Sequence, residues 1–222
     1  MRIVNNPTFQ NAEIKCPKCE MYSDCEYISF IDGTEDIEDK NRVFTSSAFY
    51  HECPYCGERM YFKLPFVYTN FIRNFSIVLT YDKENSEKFI SNYKKAFLEK
   101  IDKENLDYIA NHKFICVNDY KDLIEKVTIL ERGLDDRIIE IEKLLNWGSL
   151  NKEERSKESC KIYFSAQNGT YYFIAYSDDG LIERIPFKFE EYQEIKHTFI
   201  TDEKRPFIVD KQYAIKKIDE KI

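Results

Sequence analysis

Two C-x-x-C pairs near the start of the chain constrain its fold more than any other feature. The first lies in "IKCPKCEMYSDCEY" (14–27) and the second in "HECPYCGERM" (51–60), and each pair encloses a proline. A tight C-x-x-C turn directs two sulfurs at one ion, and four thiolates suit tetrahedral zinc. We therefore predict one structural Zn²⁺ on Cys16, Cys19, Cys53 and Cys56. The alternative is four buried thiols without a metal.

Two neighbouring residues are rival ligands. Cys25 follows the first pair by six residues, and it either binds the metal or packs in a strand as a small apolar side chain. His51 precedes Cys53 by two residues on the same strand face, so it can hydrogen-bond to a sulfur or replace it. We expect both residues to lie outside the coordination shell. Cys116 and Cys160 lie in apolar strand patterns and are predicted core residues.

Composition indicates a globular, cytoplasmic protein. Hydrophobic residues make up 43% of the chain, yet no stretch approaches the roughly 18 apolar residues that a membrane-spanning helix needs. The start, "MRIVNNPTFQNAEIKC", has no apolar signal region. Because cytosolic disulfides are rare, the seven cysteines are expected to be thiols or metal ligands. The abundance of Lys, Ile, Phe, Tyr and Asn is typical of AT-rich bacterial genomes.

The charge distribution argues against nucleic-acid binding. The whole chain has a net charge of −7, and residues 1–60 contain six basic against eleven acidic residues. A ribbon that grips phosphates needs the opposite sign. The six glycines are too dispersed for a P-loop or a G-x-G-x-x-G loop, which excludes the commonest nucleotide-binding designs.

Hydrophobic periodicity predicts an α+β fold. Residues 12–82 are β-rich, because "CEYISFI", "SAFYHEC", "RMYFKL" and "FSIVLTY" are short aromatic or β-branched runs. Residues 85–150 are mainly helical, with one helix in "SEKFISNYKKAFLEKI" and a strand in "KFICVN". Two apolar stripes at helical spacing, on either side of Gly133, predict a helical hairpin over residues 119–147.

The last third of the chain predicts a second, smaller unit. The polar residues 151–159 are typical of a linker. After them, "CKIYFSA", "TYYFIAYS" and "LIERIPF" predict an antiparallel β-meander, which the short helix "KFEEYQEIKHTF" follows. We therefore predict two domains: a zinc ribbon with the helical block in residues 1–150, and an α+β unit in residues 160–222.

Two acidic segments have alternative interpretations. Asp135 and Asp136 resemble a carboxylate pair for acid–base or metal chemistry. They also stand at a predicted helix N-terminus, where capping explains acidic residues, and we favour capping. Arg137 is expected to pair with Glu140 on the helix surface. The run "DGTEDIEDK" (32–40) is expected to be a solvated loop.

The two C-P-x-C pairs resemble the bacterial and archaeal CpXC domain family, which is named after this motif. The resemblance covers about residues 14–145 and includes the segments "LPFVYTNFIRNFSIVLTY" and "ICVNDYKDLIEKVTILERGLDDRIIEIEK". The family's E-K and L-D-D-R elements fall on Glu125, Lys126, Leu134, Asp135, Asp136 and Arg137. The family has no assigned activity, so the resemblance implies a zinc site but no reaction.

These observations favour a zinc-stabilised, non-catalytic binding or scaffold protein that acts on another protein. No catalytic residues and no cofactor other than zinc are predicted, and neither nucleic acid nor membrane is an expected partner. The alternative is a hydrolase-like enzyme with a pocket between the helical and β-rich blocks. Against it stand a zinc ion without an open position and the absence of H-E-x-x-H and G-x-S-x-G motifs.

Overall fold

The computed structural model describes residues 7–34, 37–61, 63–101, 110–150, 153, 159–200 and 204–221. Within them the chain combines helices with mixed and antiparallel sheets, which confirms the predicted α+β class. It forms two compact units, residues 1–124 and 125–222, and each is described by itself below.

The predicted domain boundary, at residues 151–159, differs from the boundary between the two compact units, which lies between residues 124 and 125. The expected linker, residues 151–159, lies outside the described residues except for Glu153 and Ser159. The division into independent domains, 1–150 and 160–222, stays a prediction.

The first unit is built around a five-stranded mixed sheet. The large sheet has the strand order β1-β2-β5-β6-β7, in which β1–β2 and β5–β6 are antiparallel and β2–β5 and β6–β7 are parallel. β3 and β4 form a separate antiparallel hairpin. The strands are β1 (Thr8–Lys15), β2 (Tyr22–Asp32), β3 (Tyr50–Glu52), β4 (Arg59–Tyr61), β5 (Phe66–Asn70), β6 (Phe75–Leu79) and β7 (Lys113–Val117).

Burial in this sheet increases from β1 toward β6. All five residues of β6 are buried, whereas β1 is an edge strand with mostly exposed side chains. β2 pairs with β5 only through residues 30–32. The remainder of β2 pairs with β1 alone, as a two-stranded hairpin. Helix α2 (Ser86–Glu99) packs against β7. The sequence analysis missed β1 because an exposed edge strand needs no apolar alternation.

The acidic run at residues 32–40 is not simply a solvated loop. Helix α1 (Ile37–Phe44) begins inside it. Asp39 is buried, and its carboxylate lies 3.6 Å from Nε of Arg42 one turn later. The expectation of a fully solvated segment is therefore wrong for the second half of the run.

A polar network lies among aromatic rings in the core of the first unit. Nε2 of His112 is 2.8 Å from the hydroxyl of Ser76, which in turn is 2.8 Å from the hydroxyl of Thr69. The hydroxyl of Tyr93 lies 3.2 Å from that of Thr69. Ser76 and Thr69 have no exposed surface, and the ring of Phe97 is centred 4.7 Å from the His112 ring. His112 is therefore held as a neutral imidazole.

Protonation of His112 should destabilise the first unit in acid. Burial lowers the pKa of His112 from its ordinary 6.5 to about 4. The unfolded chain binds this proton more readily, so stability falls as the pH drops from 6.5 to about 4, by roughly 3 kcal/mol in total. We expect His112→Phe to lose this slope in urea unfolding followed by circular dichroism. The other acid-sensitive groups are the same in the wild type and in His112→Phe. Equal slopes of stability against pH in the two proteins would therefore contradict the role given to His112.

The described part of the second unit combines four helices with a three-stranded sheet. Helix α3 (Tyr120–Glu131) enters this unit at residue 125, and α4 (Asp136–Ser149) follows it after a short turn. Both helices lie where the apolar stripes predict them. The turn has the expected local chemistry, because Gly133 has a φ of 73° and the Asp135 carboxylate accepts the N–H of Arg137.

The sheet of the second unit is the predicted meander. Strand order is β10-β9-β8, and both pairings are antiparallel. The helices α4, α5 and α6 share one apolar core with the inner residues Phe173 and Ala175 of the central strand. The remaining elements are β8 (Lys161–Gln167), β9 (Thr170–Ser177), β10 (Gly180–Pro186), α5 (Phe189–Phe199) and α6 (Lys211–Asp219). The sequence analysis did not predict α6, although Asp210 caps its N-terminus.

Candidate metal centre

The first cysteine pair forms a tight turn, residues 16–21, at the tip of the β1–β2 hairpin. We call this turn the first knuckle. The N–H of Cys16 donates to the carbonyl of Met21 (2.9 Å), and the N–H of Glu20 donates to the carbonyl of Cys16 (3.0 Å). The chain thus reverses immediately after the second cysteine, and both sulfurs are directed to one side of the turn.

The second pair repeats this arrangement at the tip of the β3–β4 hairpin. In this second knuckle, residues 53–58, the N–H of Cys53 donates to the carbonyl of Glu58 (2.8 Å). The N–H of Gly57 donates to the carbonyl of Cys53 (2.9 Å). The two knuckles therefore have the same hydrogen bonds at the same spacing, although Cys53 follows Cys16 by 37 positions.

Both knuckles need a left-handed residue after the second cysteine. Gly57 has a φ of 71°, which glycine adopts freely. Glu20 occupies the equivalent place with a φ of 61°. A side chain with a Cβ pays a steric penalty in this region, so the first knuckle is the more strained of the two.

Replacing Glu20 with glycine should stabilise the protein. Relief of the left-handed strain exceeds the added flexibility of the unfolded chain, and we expect a gain of about 0.5–1 kcal/mol in urea unfolding. The lost contact with Lys15 (3.5 Å) is exposed and contributes little. Gly57→Ala is the matched control: a Cβ there meets no atom within 4 Å, so backbone strain alone should lower the stability. A less stable Glu20→Gly protein would contradict this account.

The two knuckles bring four sulfurs together. The Sγ atoms of Cys16, Cys19, Cys53 and Cys56 all lie within 4.8 Å of one another. Across the hairpins, Cys16 Sγ is 3.7 Å from Cys56 Sγ, and Cys19 Sγ is 3.6 Å from Cys53 Sγ. Tetrahedral zinc with Zn–S bonds of about 2.3 Å sets its sulfurs about 3.8 Å apart. The cluster is therefore compatible with a metal site.

Electrostatics in the cluster favour a bound cation. The backbone N–H of Cys19 outweighs burial and lowers the pKa of Cys16 to about 7. The N–H of Glu58 acts in the same direction on Cys56, but burial and the three neighbouring thiols raise the pKa of Cys56 to about 12. One thiolate thus opposes the ionisation of the next. A divalent cation removes that opposition, because it attracts all four sulfurs.

The other candidate ligands lie outside this group. Cys25 is buried in β2 opposite Ala12, as its interpretation as a packed strand residue predicts. Nε2 of His51 lies 3.5 Å from the hydroxyl of Ser23. Within the described residues, the four-cysteine group includes neither of them. Cys116 is buried in β7 and Cys160 packs at the edge of the second unit's core.

The Asp135–Asp136 pair belongs to a buried ion-pair network in the second unit. Asp135 does cap α4, but Asp136 has no exposed surface, and its carboxylate contacts the ammonium of Lys126 (3.2 Å) and the guanidinium of Arg205. The prediction that Arg137 pairs with Glu140 is wrong. Arg137 binds the carboxylate of Asp135 at 2.7 Å instead.

The network continues to the edge of the meander. Glu125 accepts the backbone N–H of Phe164 in β8 (2.6 Å) and the ammonium of Lys143 (2.8 Å). Lys143 also contacts Glu140 (3.0 Å). Among the described residues the acidic members are Glu125, Asp135, Asp136 and Glu140, and the basic members are Lys126, Arg137, Lys143 and Arg205. The charges balance, which is typical of a structural network rather than a substrate site.

Sequence reasoning missed most of this network. Asp135, Asp136 and Arg137 were singled out as a carboxylate pair or a helix cap with its surface ion pair, and Glu125 and Lys126 only through the family resemblance. Arg205 lies 69 residues after Asp136 and has no local signal.

Among the described residues, no helix combines the length and the apolar character that crossing a membrane requires.

Comparison with known proteins identifies the family of this chain. No curated protein and no solved structure matches the chain. A family profile described as "CpXC protein" matches residues 14–143, which include both knuckles. Because this match covers more than half of the sequence, the chain belongs to the CpXC protein family.

Proposed function

We propose that the four cysteines bind one structural zinc ion and that the N-terminal hairpins form a zinc ribbon. The observation that carries this proposal is the convergence of four sulfurs from two knuckles with matching hydrogen bonds. Four soft thiolates at tetrahedral separations favour zinc over harder cations. They also fill its coordination, so no water remains for activation, and the role of the ion is structural.

The small apolar contact around the knuckles supports a structural role. The buried cluster there consists of Cys16, Cys53 and Met60, with Ile14 and Cys19 packed at its side. So few side chains supply little hydrophobic stabilisation, and two of the three buried members are themselves ligand candidates. Metal–sulfur bonds would provide the cohesion between the hairpins that packing does not.

We infer further that this is a non-catalytic binding protein that acts on another protein. Its support is the four-thiol site that one zinc ion would saturate, the net charge of −7, and apolar side chains exposed in or beside both knuckles. Met21, Tyr22 and Tyr55 are each about half exposed or more. Such side chains are common at protein contacts, whereas the acidic charge disfavours nucleic acid.

A hydrolase is the second candidate, and one contact bears on it. Ser76 and His112 make a hydrogen bond of the kind that activates a serine nucleophile. Ser76 has no exposed surface, and the rings of Phe97 and Phe114 pack around His112. A nucleophile must reach a substrate, so we assign this pair to the core and prefer the binding protein.

Metal analysis of the purified full-length protein tests the zinc proposal. Elemental analysis should give one zinc per chain, and X-ray absorption should give four sulfurs at about 2.3 Å. A stoichiometry near zero, or oxygen in the coordination shell, would contradict a saturated structural site.

Affinity purification from the native host, with the wild type beside a metal-free variant, tests the proposed protein partner. We expect a protein that is recovered only with the wild type. Co-purified nucleic acid would contradict the proposal.

A further inference from the structure

Among the buried acids that the structure describes in the second unit, one has no salt bridge. Glu142 lies on α4 and is only 3% exposed. Among the described residues, its Oε2 atom is buried without a hydrogen-bond partner. The neighbouring acid on the same helix, Glu140, belongs to the balanced network with Lys126 and Lys143. Glu142 faces away from that network, toward a different helix.

The two charged groups that act on Glu142 lie at the N-terminus of α5: Lys188 at the N-cap position and Glu191 in the first turn. Glu191 opposes its ionisation, and Lys188 favours it. The Lys188 ammonium is 2.6 Å from the Glu191 carboxylate, so it is already paired. The phenol of Tyr192 is the other titratable group that senses Glu142. Within the described residues, no charged group of α3, α6 or β8, which also contact α4, acts on it.

The first turn of α5 depends on its packing against α4. Lys188 occupies the N-cap position without a side-chain cap. Tyr192 is buried in the shared core, and its hydroxyl accepts the N–H of Asp135 at the start of α4 (2.9 Å). An ionised carboxylate at this contact is almost fully shielded from water, and no unpaired cation among the described residues stabilises it.

We propose that Glu142 is a pH-operated latch between α4 and α5: the neutral acid holds the first turn of α5 against α4, and ionisation releases it. The burial of Glu142, its missing partner and the like charge of Glu191 carry this inference. It is independent of the metal site, which lies in the other unit.

The pH window follows from the direction of the pKa shift. Burial and the charge of Glu191 raise the pKa of Glu142 from its ordinary 4.5 to about 8. In the released state the carboxyl regains its ordinary pKa. The released population therefore rises about tenfold per pH unit between 4.5 and about 8, and it levels off above that value. The latch works across neutral pH.

Two measurements on the full-length protein test the latch. The ¹³C chemical shift of the Glu142 carboxyl should titrate near pH 8. The amide of Tyr192, which donates to the carbonyl of Lys188 (3.1 Å), reports the first turn of α5. Its hydrogen-exchange protection factor, corrected for intrinsic rates, should fall about tenfold per pH unit from pH 5.5 to 8. A carboxyl that titrates near 4.5 would overturn the proposal, whatever the variants do.

Three isosteric variants separate the latch from general effects of charge. Glu142→Gln should keep the Tyr192 amide protected at all pH values. Glu191→Gln should move the transition to lower pH, because it removes the repulsion. Glu190→Gln is the matched control: it removes an exposed charge from the same turn and should leave the pH dependence unchanged. An unchanged pH dependence in Glu142→Gln, or its loss in Glu190→Gln, would refute the latch.

Discussion

Cys53→Ser should lose stoichiometric zinc and leave the two N-terminal hairpins without a fixed arrangement. Cys53 is buried at the centre of the small cluster, and its sulfur lies 3.6 Å from that of Cys19 on the other hairpin. Structural zinc contributes on the order of 10 kcal/mol to the folding of small domains, so this is the largest effect we expect from any single substitution. Elemental analysis and NMR spectra of the purified variant measure both losses.

Cys25→Ser and His51→Ala are the controls for this experiment. Cys25 is a buried cysteine of the β1–β2 hairpin, as Cys16 is, and His51 is the nearest histidine in sequence to the second knuckle. Both proteins should retain one zinc per chain. Full zinc retention after the replacement of both Cys53 and Cys56 would show that these residues do not bind the metal.

Asp136→Asn should be the most destabilising substitution in the second unit. Burial alone raises the pKa of Asp136, but Arg205 and Lys126 outweigh burial and keep its pKa well below the ordinary range. The carboxylate is thus ionised and fully buried between two cations. Removing one partner of a buried ion pair costs roughly 3–5 kcal/mol, because the remaining charges stay desolvated. Trp147, the single tryptophan of the chain, reports unfolding of this unit by fluorescence in urea.

Asp135→Asn is the matched control, since it makes the same change at the adjacent position. Asp135 is partly exposed, and asparagine caps a helix about as well as aspartate does. We expect a loss of about 1 kcal/mol or less, from its partly exposed contacts with arginine. Equal losses at the two positions would contradict the distinction between a buried ion pair and a helix cap.

The features that local chemistry controls could be predicted. The cysteine turns depend on residues within six positions of one another, and their spacing and prolines indicate how the sulfurs point. The turn between α3 and α4 is equally local, because Gly133 supplies a positive φ and Asp135 caps the next helix. Periodicity of apolar residues located both helices and the meander, since it records which face of each element is buried.

The features that depend on burial by distant segments could not be predicted. The sequence around Asp136 predicts only an acid in the first turn of a helix. Its contact with Arg205, 69 residues later, depends on the tertiary fold. Nothing near His112 in the sequence indicates a partner, since the hydroxyl of Ser76, 2.8 Å from its Nε2 atom, lies on β6, 36 residues earlier. An exposed edge strand such as β1 has almost no alternation of apolar and polar residues, so the sequence pattern does not predict it.

The amino-acid pattern alone was sufficient for the four converging thiols, the α+β class and the family. Each depends on residue types at short, regular spacing, and backbone geometry then leaves few alternatives. The ionisation of His112, Asp136 and Glu142 depends instead on tertiary packing. A carboxyl or imidazole has the same chemistry in any sequence, and its protonation depends on the water and the charges that distant segments remove or supply. In this protein, burial and the charge of Glu191 on α5 raise the pKa of Glu142, while Arg205 and Lys126 lower the pKa of Asp136 on the same helix.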